Sequence, residues 1–274
     1  MNIRSRTLVA LLLPFAIFFA GTAKAATSDN SLIDLQKKGV LTIANTQTSP
    51  PWSFLGTDNK LGGYDVDVAN EVARRIGIRR VVFVADTFSN FIDGLKTGKY
   101  DLIVSGMAAT PERKKVVDFS VPYTAQGFLI WVNDKNTDIK DVASLTGKKV
   151  GVDAGTANEV WARAHLMKSD IVSYDNGGFL YNDLATGRTD AVIESHFAGY
   201  KTKEINHLPI KEVGEPLTFS LGCVAIPKNE PALEDAVNKA LSDMLVDGTI
   251  QTIAQKYLGK DYDMAGYIKK ASAK

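Results

Sequence analysis

The 274-residue chain contains one cysteine, three histidines and three tryptophans. The single thiol, Cys223, cannot form a disulfide within the chain, so we expect the fold to depend on its packed core. The 32 basic and 31 acidic residues nearly cancel, which argues against nucleic acid as a partner because phosphate binding needs a concentrated basic surface. Metal-ligand spacings, nucleophile elbows and phosphate loops are missing, so we predict neither a metal nor a cofactor.

Long apolar runs are also scarce, and the clearest one covers residues 8–20. It follows two arginines and precedes the small-x-small site Ala23-Lys24-Ala25, which is typical of a secretory signal peptide cleaved near Ala25. A membrane anchor is the alternative, but a spanning helix needs about 20 apolar residues. Removal of residues 1–25 takes away Arg4, Arg6 and Lys24 and no acidic residue, which leaves a formal charge of about −2. We expect the mature protein in the periplasm.

Apolar, β-branched runs alternate with helical patterns along the chain, which predicts βαβ units and a parallel sheet. The predicted strands cover residues 41–44, 81–85, 102–104, 149–152, 171–174 and 191–193. The predicted helices cover residues 64–76, 87–97, 111–117, 157–167, 179–186 and 195–205. Glycines at positions 77, 98, 187 and 248 stand where helices should end.

The order of these elements favours two α/β lobes. The apolar segments 128–132 and 219–226 can carry the chain out of the first lobe and back into it. We predict lobe I at residues 26–127 and 222–262, lobe II at residues 128–221, and a frayed tail at residues 263–274. Each lobe would hold a parallel-rich sheet flanked by helices, with strand ends and helix N-termini facing a shared cleft. Closure would then be a hinge motion at the two crossings.

The segment 101–123 is the most informative part of the sequence. A strand at 102–104 ends in small residues that should leave backbone N–H groups open, and Thr110-Pro111 starts a helix with a capping hydroxyl and a preset φ. Arg113 therefore lies in the first turn of that helix, where a guanidinium beside free amides suits a carboxylate. The alternative is that Arg113 pairs with Asp118 on the surface.

This segment, SGMAATPER at 105–113 followed by DFSVPY at 118–123, resembles the signature of the polar amino-acid family of periplasmic solute-binding proteins, solute-binding protein family 3. These proteins are the capture subunits of ABC importers. Further pieces match in the family's order: GVLTIA at 39–44, PPWSF at 50–54, GYDVD at 63–67, GKKVGV at 147–152, GRTDA at 187–191 and DGTIQ at 247–251. The resemblance implies a type II periplasmic-binding-protein fold with two hinge strands. It also implies a monomer that binds an amino acid or related carboxylate and delivers it to permease subunits at the inner membrane.

The resemblance assigns Arg113 to the carboxylate of the ligand and places Gly106 and Ala108 along the strand end that precedes it. It places the first amides of the helix that begins at Thr156 and Ala157 against the same carboxylate. For the Thr156 hydroxyl a structural N-cap is the equal alternative. A carboxylate group is therefore the best supported feature of the ligand.

Other pocket positions both match and depart from the family. Trp52 and Phe88 match positions that line the pocket with aromatic rings. Ala108 lacks the hydroxyl that Ser or Thr usually supplies, and Ser49 stands where many relatives carry a stacking Tyr or Phe. Thr46 replaces one of the two common acidic residues. Specificity therefore does not transfer directly from relatives.

The second common acidic position, which contacts the ammonium of an α-amino acid, is Ser195 in this chain, with Glu194 just before it. Adjacent residues of a strand face opposite sides, so Glu194 can replace the missing acid only if the strand has ended or a bulge turns it. Three alternatives stay open. Glu194 is turned into the cleft, Asp153 takes over at the lip, or the ligand is not an ordinary α-amino acid.

An enzyme is the main competing class. Some relatives, the periplasmic cyclohexadienyl dehydratases, remove water from a ligand in the same cleft, and the segment 158–164 resembles theirs. Their catalytic acid lies where this chain has Phe197-Ala198-Gly199, although Glu194 and His196 are nearby candidates for a general acid. We predict a binding protein and no enzyme. A membrane-receptor sensor, the third class, would need a spanning helix after lobe II, which we do not expect before Lys274.

Overall fold

The computed structural model describes residues 29–272, so the predicted signal peptide lies outside the described part. The strands are β1 (Val40–Asn45), β2 (Thr48–Ser49), β3 (Ser53–Leu55), β4 (Leu61–Gly62), β5 (Arg80–Ala85), β6 (Leu102–Ala108), β7 (Asp118–Asn133), β8 (Lys149–Asp153), β9 (Asp170–Tyr174), β10 (Ala191–Ser195) and β11 (Ile210–Ile226). The α-helices are α1 (Ser31–Lys38), α2 (Tyr64–Arg75), α3 (Phe91–Lys96), α4 (Pro111–Lys114), α5 (Ala157–His165), α6 (Gly177–Thr186), α7 (His196–Asn206), α8 (Pro231–Val246), α9 (Thr249–Leu258) and α10 (Met264–Ser272). Short 3₁₀ turns lie at Phe88–Asn90 and Ala143–Leu145.

Eight strands form one hydrogen-bonded series in the order β5-β1-β6-β11-β7-β10-β8-β9. Strand β1 pairs in parallel with β5 and β6, and β8 pairs in parallel with β9 and β10. The long strands β7 and β11 run antiparallel to each other and to their outer neighbours. The α/β class and the two hinge strands are therefore as predicted, and the long strands join the two predicted parallel sheets into one series.

Each parallel group has its own apolar core. In lobe I, α2, α8 and α9 cover the sheet and bury a cluster that includes Leu41, Val68 and Leu241. In lobe II, a separate cluster includes Ile130 and Val150. The predicted lobe boundaries, at residues 127/128 and 221/222, fall inside β7 and β11 and stay a prediction. Such an arrangement leaves the strands β7 and β11 as the covalent links between two packed bodies.

The strand predictions lie within the observed strands, and the helix predictions differ mainly at the ends. The helix predicted at 111–117 ends at Lys114, and the one predicted at 179–186 begins earlier, at Gly177, because the Asn176 side chain accepts a hydrogen bond from the Gly178 backbone N–H at 2.8 Å. The helix predicted at 87–97 begins as a 3₁₀ turn. Gly77, Gly98, Gly187 and Gly248 all have positive φ at helix boundaries, as predicted.

The C-terminal segment differs from the expected frayed tail. Residues 264–272 form α10, in which Met264 is 0% exposed and Ile268 is 5% exposed. The Ala125 backbone N–H lies 3.2 Å from the Met264 sulfur, so this helix packs against β7. The Lys- and Ala-rich composition led to the prediction of a frayed tail, but the segment forms an amphipathic helix whose apolar face completes the lobe I core. Within residues 29–272, none of the helices has the length and apolarity that a membrane span requires.

Candidate ligand-binding cleft

A cavity lies between the two lobes, at the end of β6 on one side and at the ends of β8 and β10 on the other. Its volume is about 90 Å³. All but one of the predicted ligand contacts line it: Thr46, Ser49, Trp52, Phe88, Gly106, Ala108, Arg113, Asp153, Thr156, Ala157 and Glu194. The sequence therefore located the cavity, and the remaining predicted contact, Ser195, lies elsewhere.

Arg113 connects the two lobes. The Thr110 hydroxyl caps α4 by accepting a hydrogen bond from the Arg113 backbone N–H at 3.3 Å, as predicted. The guanidinium Nη1 donates to the Ala108 carbonyl at 2.8 Å, and Nη2 donates across the cleft to the Gly155 carbonyl at 2.5 Å. A guanidinium has five N–H donors, so these two bonds leave about three for a ligand.

The alternative pairing of Arg113 with Asp118 is wrong. The Asp118 carboxylate accepts instead from Lys228 Nζ at 2.5 Å and from the Asn229 backbone N–H at 3.2 Å. Among residues 29–272, no acidic side chain forms an ion pair with Arg113. Burial lowers the pKa of the Arg113 guanidinium, but a group whose ordinary value is so high stays charged at neutral pH. The cleft thus presents a half-buried positive charge whose hydrogen bonds within residues 29–272 go to carbonyls.

The strand end before Arg113 is organised by a buried hydrogen-bond chain. The Gly106 backbone N–H donates to the Tyr123 hydroxyl at 2.8 Å, and that hydroxyl donates to Asp65 Oδ1 at 2.9 Å. Burial raises the pKa of Asp65 to about 7. The expectation that this strand end leaves its N–H groups open is therefore wrong for Gly106, which lines the cavity with its backbone bond already made.

Aromatic rings and hydroxyls form the lobe I wall. The Phe88 ring centroid lies 5.5 Å from Arg113 Cζ, so the ring orients the guanidinium as well as bordering the cavity. Trp52 is 8% exposed and meets the Phe197 ring edge-on at 6.1 Å, so most of its surface packs in the core. The Thr46 hydroxyl donates to the Ser49 hydroxyl at 3.1 Å. Two small hydroxyls thus occupy the places of an acid and an aromatic ring.

In lobe II, Thr156 has the structural role that the sequence left open. Its hydroxyl accepts from the Glu159 backbone N–H at 3.3 Å and donates to the Asp153 carbonyl at 2.6 Å, which caps α5. The side chain still borders the cavity, together with Ala157 at the first turn. Helix α5 therefore directs its N-terminus at the same space as Arg113, as predicted.

The acidic residues of lobe II differ from the family pattern in position. Glu194 lies in β10, is 8% exposed and lines the cavity, with Oε1 accepting from the Ser195 backbone N–H at 2.6 Å. Glu194 Oε2 accepts from Asn158 Nδ2 at 3.3 Å. Ser195 is fully buried, and its hydroxyl caps α7 by accepting from the Ala198 backbone N–H at 3.1 Å. The prediction that Ser195 is a cleft residue is therefore wrong, because the strand ends there and its side chain is used as a cap.

Asp153, the last residue of β8, lies beside Glu194, because β8 and β10 pair in parallel with Ala191 opposite Val150 and Val192 opposite Gly151. Continued by two residues, this register brings the two carboxyl groups together at the cavity, within hydrogen-bonding reach of each other. Burial, and the neighbouring Asp153 carboxyl, raise the pKa of Glu194; burial also raises the pKa of Asp153. The sequence left open whether Glu194 or Asp153 takes the place of the missing acid, and the structure places both side chains at the cavity. Both carboxyl groups border the cavity and form a pair, which we call the acid pair.

No role was assigned from the sequence to several cavity residues, most of which belong to no recognisable motif. Among them are Ser105, Gln126, Phe128, Asn158, Tyr174, Asp175, Tyr181 and Ser220. Gln126 Oε1, Asn158 Oδ1 and the Tyr181 hydroxyl are buried polar atoms with no partner within residues 29–272. Buried polar atoms are nearly always hydrogen-bonded, so these three atoms point to a polar occupant of the cavity.

The other candidate acid, His196, lies outside the cavity lining. Its Nδ1 is 2.6 Å from Glu212 Oε2, and its ring stacks against Tyr200. The described residues contain no cluster of His, Cys, Asp and Glu side chains able to hold a metal ion. The chemistry of the cleft therefore rests on Arg113, the acid pair, the further carboxyl groups of Asp65 and Asp175, and neutral polar groups.

Comparison with known proteins agrees with this geometry. The model of the bacterial extracellular solute-binding proteins, family 3, matches residues 41–260. The L-cystine-binding protein TcyJ of Escherichia coli strain K12 is 32% identical over 244 residues, which cover 88% of this chain and 91% of that protein. An ancestral arginine-binding protein bound to arginine superimposes with a TM-score of 0.77 at 34% identity, over 81% of this chain and 99% of the other.

A third similar protein is the ancestral amino acid-binding protein AncCDT-1, a precursor of cyclohexadienyl dehydratase. It superimposes with a TM-score of 0.77 at 33% identity, over 83% of this chain and 99% of the other. The type II periplasmic-binding-protein fold is confirmed by these superpositions. The chain belongs to the bacterial extracellular solute-binding proteins, family 3.

Proposed function

We propose that this chain is the substrate-binding subunit of an ABC importer and captures a small carboxylate-bearing solute, an amino acid or an amino-acid derivative, between its lobes. The similar proteins named above bind cystine, arginine or amino acids, which supports this class of ligand. The observation that carries the proposal is the charge arrangement of the cleft. A fixed cation from lobe I and an acid pair from lobe II border one cavity.

This arrangement fits a zwitterion. The free donors of Arg113 suit a carboxylate, because guanidinium and carboxylate form paired hydrogen bonds. Asp153 and Glu194 suit an ammonium, which would be costly to bury without a counter-charge. Asn158 Oδ1 and the Tyr181 hydroxyl, buried without partners, supply further polar contacts on the lobe II side.

Capture would proceed by lobe closure. Two hydrogen bonds join the lobes and require a closed cleft. Arg113 donates to the Gly155 carbonyl, and Ser89 Oγ donates to Asp175 Oδ1 at 3.3 Å. A ligand held by both lobes adds to these contacts, so binding shifts the population towards the closed form. We infer that a permease at the inner membrane recognises that form, and that residues 1–25 direct the chain to the periplasm.

An enzymatic role is the second candidate, and one observation favours it. Glu194 is a buried carboxyl group with a raised pKa at the edge of a cleft, which is a property of general acids. Against this role, its neighbour Asp153 and the Asn158 amide hold the Glu194 side chain against the cavity wall. In addition, the positions at which dehydratases of this family carry their catalytic acid are Phe197-Ala198-Gly199 in this chain, which has no acidic side chain there. We therefore favour binding without conversion.

A thermal-shift screen with product analysis tests the proposal. The purified protein is scanned against the common amino acids, opines, polyamines and prephenate-like acids, and each stabilising compound is recovered and identified. We expect one or a few amino acids to stabilise the protein, because a ligand at 100 times its Kd contributes about 2.7 kcal/mol.

The matched control for each stabilising amino acid is its carboxamide, which lacks the carboxylate that Arg113 would hold. Stabilisation by the amide equal to that by the acid would contradict the assignment of Arg113. Recovery of a dehydrated compound would establish the enzyme instead. Stabilisation by polyamines alone would show that the cleft does not select a carboxylate.

A further inference from the structure

The acid pair consists of two neighbouring carboxyl groups with no cationic side chain bonded to either within residues 29–272. Glu194 accepts only from the Ser195 N–H and the Asn158 amide, and neither acid forms an ion pair within residues 29–272. The other titratable or charged side chains that border the cavity are Arg113 on α4, Asp65 on α2, Tyr174 on β9, Asp175 after β9 and Tyr181 on α6. Of these only Arg113 is cationic, and its guanidinium bonds to two carbonyls.

Two carboxyl groups at hydrogen-bonding distance can be stable in a buried place only if a proton lies between them. Two carboxylates repel each other strongly where water is excluded, whereas a carboxylic acid donates to a carboxylate. Burial raises the pKa of both groups, and proximity to Asp153 raises that of Glu194 further, which agrees with this geometry. Burial, and to a lesser extent the same two carboxyl groups, raise the pKa of the nearby Tyr181 hydroxyl, which therefore stays neutral.

We propose that Asp153 and Glu194 hold one proton between them in the ligand-free cleft and exchange it for the cationic nitrogen of the ligand. This inference rests on the proposed function, because it assumes a cationic group on the captured solute. In the exchange the Asp153–Glu194 hydrogen bond breaks, the proton passes to solvent, and the ligand's N–H groups donate to the two carboxylates. Charge balances, since one cation leaves the pair as another arrives.

The exchange makes binding depend on pH in a defined direction. Each proton released on binding makes the association constant rise about tenfold per pH unit. Capture should therefore strengthen as the pH rises towards the value at which the free pair loses its proton. Solutes without a cationic nitrogen cannot replace the proton, so the acid pair also selects for a positively charged nitrogen.

The first test uses the free protein and needs no ligand. Carbon-13 NMR of the side-chain carboxyl groups, assigned with Asp153→Asn and Glu194→Gln, follows each titration. We expect the pair to titrate in two separated steps, one of them above about pH 6. In Glu194→Gln the remaining Asp153 should shift to lower pH, because a carboxamide donates to its charged form. Titration of both groups below about pH 5 in the native protein would overturn the proposal.

The second test measures the protons released on binding. L-arginine and L-glutamine, which share the α-ammonium and differ in a side-chain cation, are titrated calorimetrically in buffers of different ionisation enthalpy. We expect close to one proton released per bound molecule at about pH 6.5, and a loss of this release in Asp153→Asn. The exposed acids Asp170 and Glu215, changed to Asn and Gln, are matched controls that should keep the native value.

The outcomes separate this inference from the proposed function. Binding with no proton released would overturn the exchange and leave amino-acid capture intact. Release with L-arginine alone would place the side-chain cation at the acid pair, and equal release with both would place the α-ammonium there. If neither compound binds, both the exchange and amino-acid capture fail for these probes, and the carboxyl titration still decides whether the free pair shares a proton.

Discussion

Removal of the Arg113 guanidinium should weaken ligand binding far more than it weakens the fold. In Arg113→Ala the cleft loses its one described cation, the bond to Ala108 and the bond across the cleft to the Gly155 carbonyl. The ligand carboxylate would then be buried without its paired donors. Truncation of one partner of a buried, hydrogen-bonded charge pair costs about 2 to 5 kcal/mol, which is roughly a 30-fold to several-thousand-fold loss of affinity.

Arg113→Lys should give an intermediate loss. An ammonium keeps the positive charge but cannot form two parallel bonds to a carboxylate while also reaching both carbonyls. Helix α4 is short, and its cap uses the Arg113 backbone N–H, so neither substitution removes the cap. We therefore expect the melting temperature of the ligand-free protein to change little compared with the change in affinity.

Isothermal titration calorimetry with the most stabilising amino acid from the screen provides the measurement. The matched control is Arg188→Ala, since the Arg188 side chain is 75% exposed and pairs with Asp183 on the surface of lobe II, where such pairs contribute little. A loss of less than about threefold in Arg113→Ala would refute the assignment, because it would mean that no buried carboxylate depends on this side chain.

Three further predictions concern neighbouring positions. The pKa of Asp65, about 7, lies above its ordinary 3.8, so the native state holds a proton that the unfolded chain gives up. The free energy of unfolding should therefore fall by roughly 4 kcal/mol as the pH rises from about 4 to 8, and urea unfolding of Asp65→Asn should lack this pH dependence. Ala108→Ser restores a hydroxyl at the cavity wall and should tighten amino-acid binding by about 1 kcal/mol in calorimetry, so an unchanged Kd would show that no ligand oxygen lies there. A Cβ at Gly222 would collide with Thr124 Cγ2 and lie 2.8 Å from Gly106 Cα. Gly222→Ala should therefore lower the free energy of unfolding by about 1 to 3 kcal/mol, and an unaltered melting temperature would contradict this packing.

Much of the fold was predictable because local pattern and tertiary structure agree. The strand at 102–104 is a continuous apolar run, and those at 41–44 and 149–152 are mostly apolar and buried, as expected for strands covered on both faces. The glycines predicted to end helices have the positive φ that this position requires. The full length of β7 and β11 was not predictable, since their antiparallel pairing depends on partners distant in sequence. Helix α10 was missed because its apolar face is narrow and gains stability only from docking on lobe I.

The candidate site was predictable to a similar degree. Arg113 has a strong local signal, a capped helix start after a buried strand, and the family motif reinforces it. The roles of Glu194 and Ser195 could not be settled from sequence, because a strand's end decides which side each residue faces. Gln126 and Tyr181 border the cavity through tertiary placement alone, so no spacing in the sequence marks them.

The two lobes face the same electrostatic problem and meet it differently. A charge buried without a partner is costly, and a ligand-free cleft has no ligand to provide one. A guanidinium cannot give up its proton under physiological conditions, so Arg113 directs its N–H groups at the Ala108 and Gly155 carbonyls. A carboxyl pair can take up a proton, so Asp153 and Glu194 can neutralise each other's charge. Because a ligand that supplies both opposite charges can bind the free donors of Arg113 and displace the proton of the acid pair, the cleft should favour zwitterions over solutes that carry either charge alone.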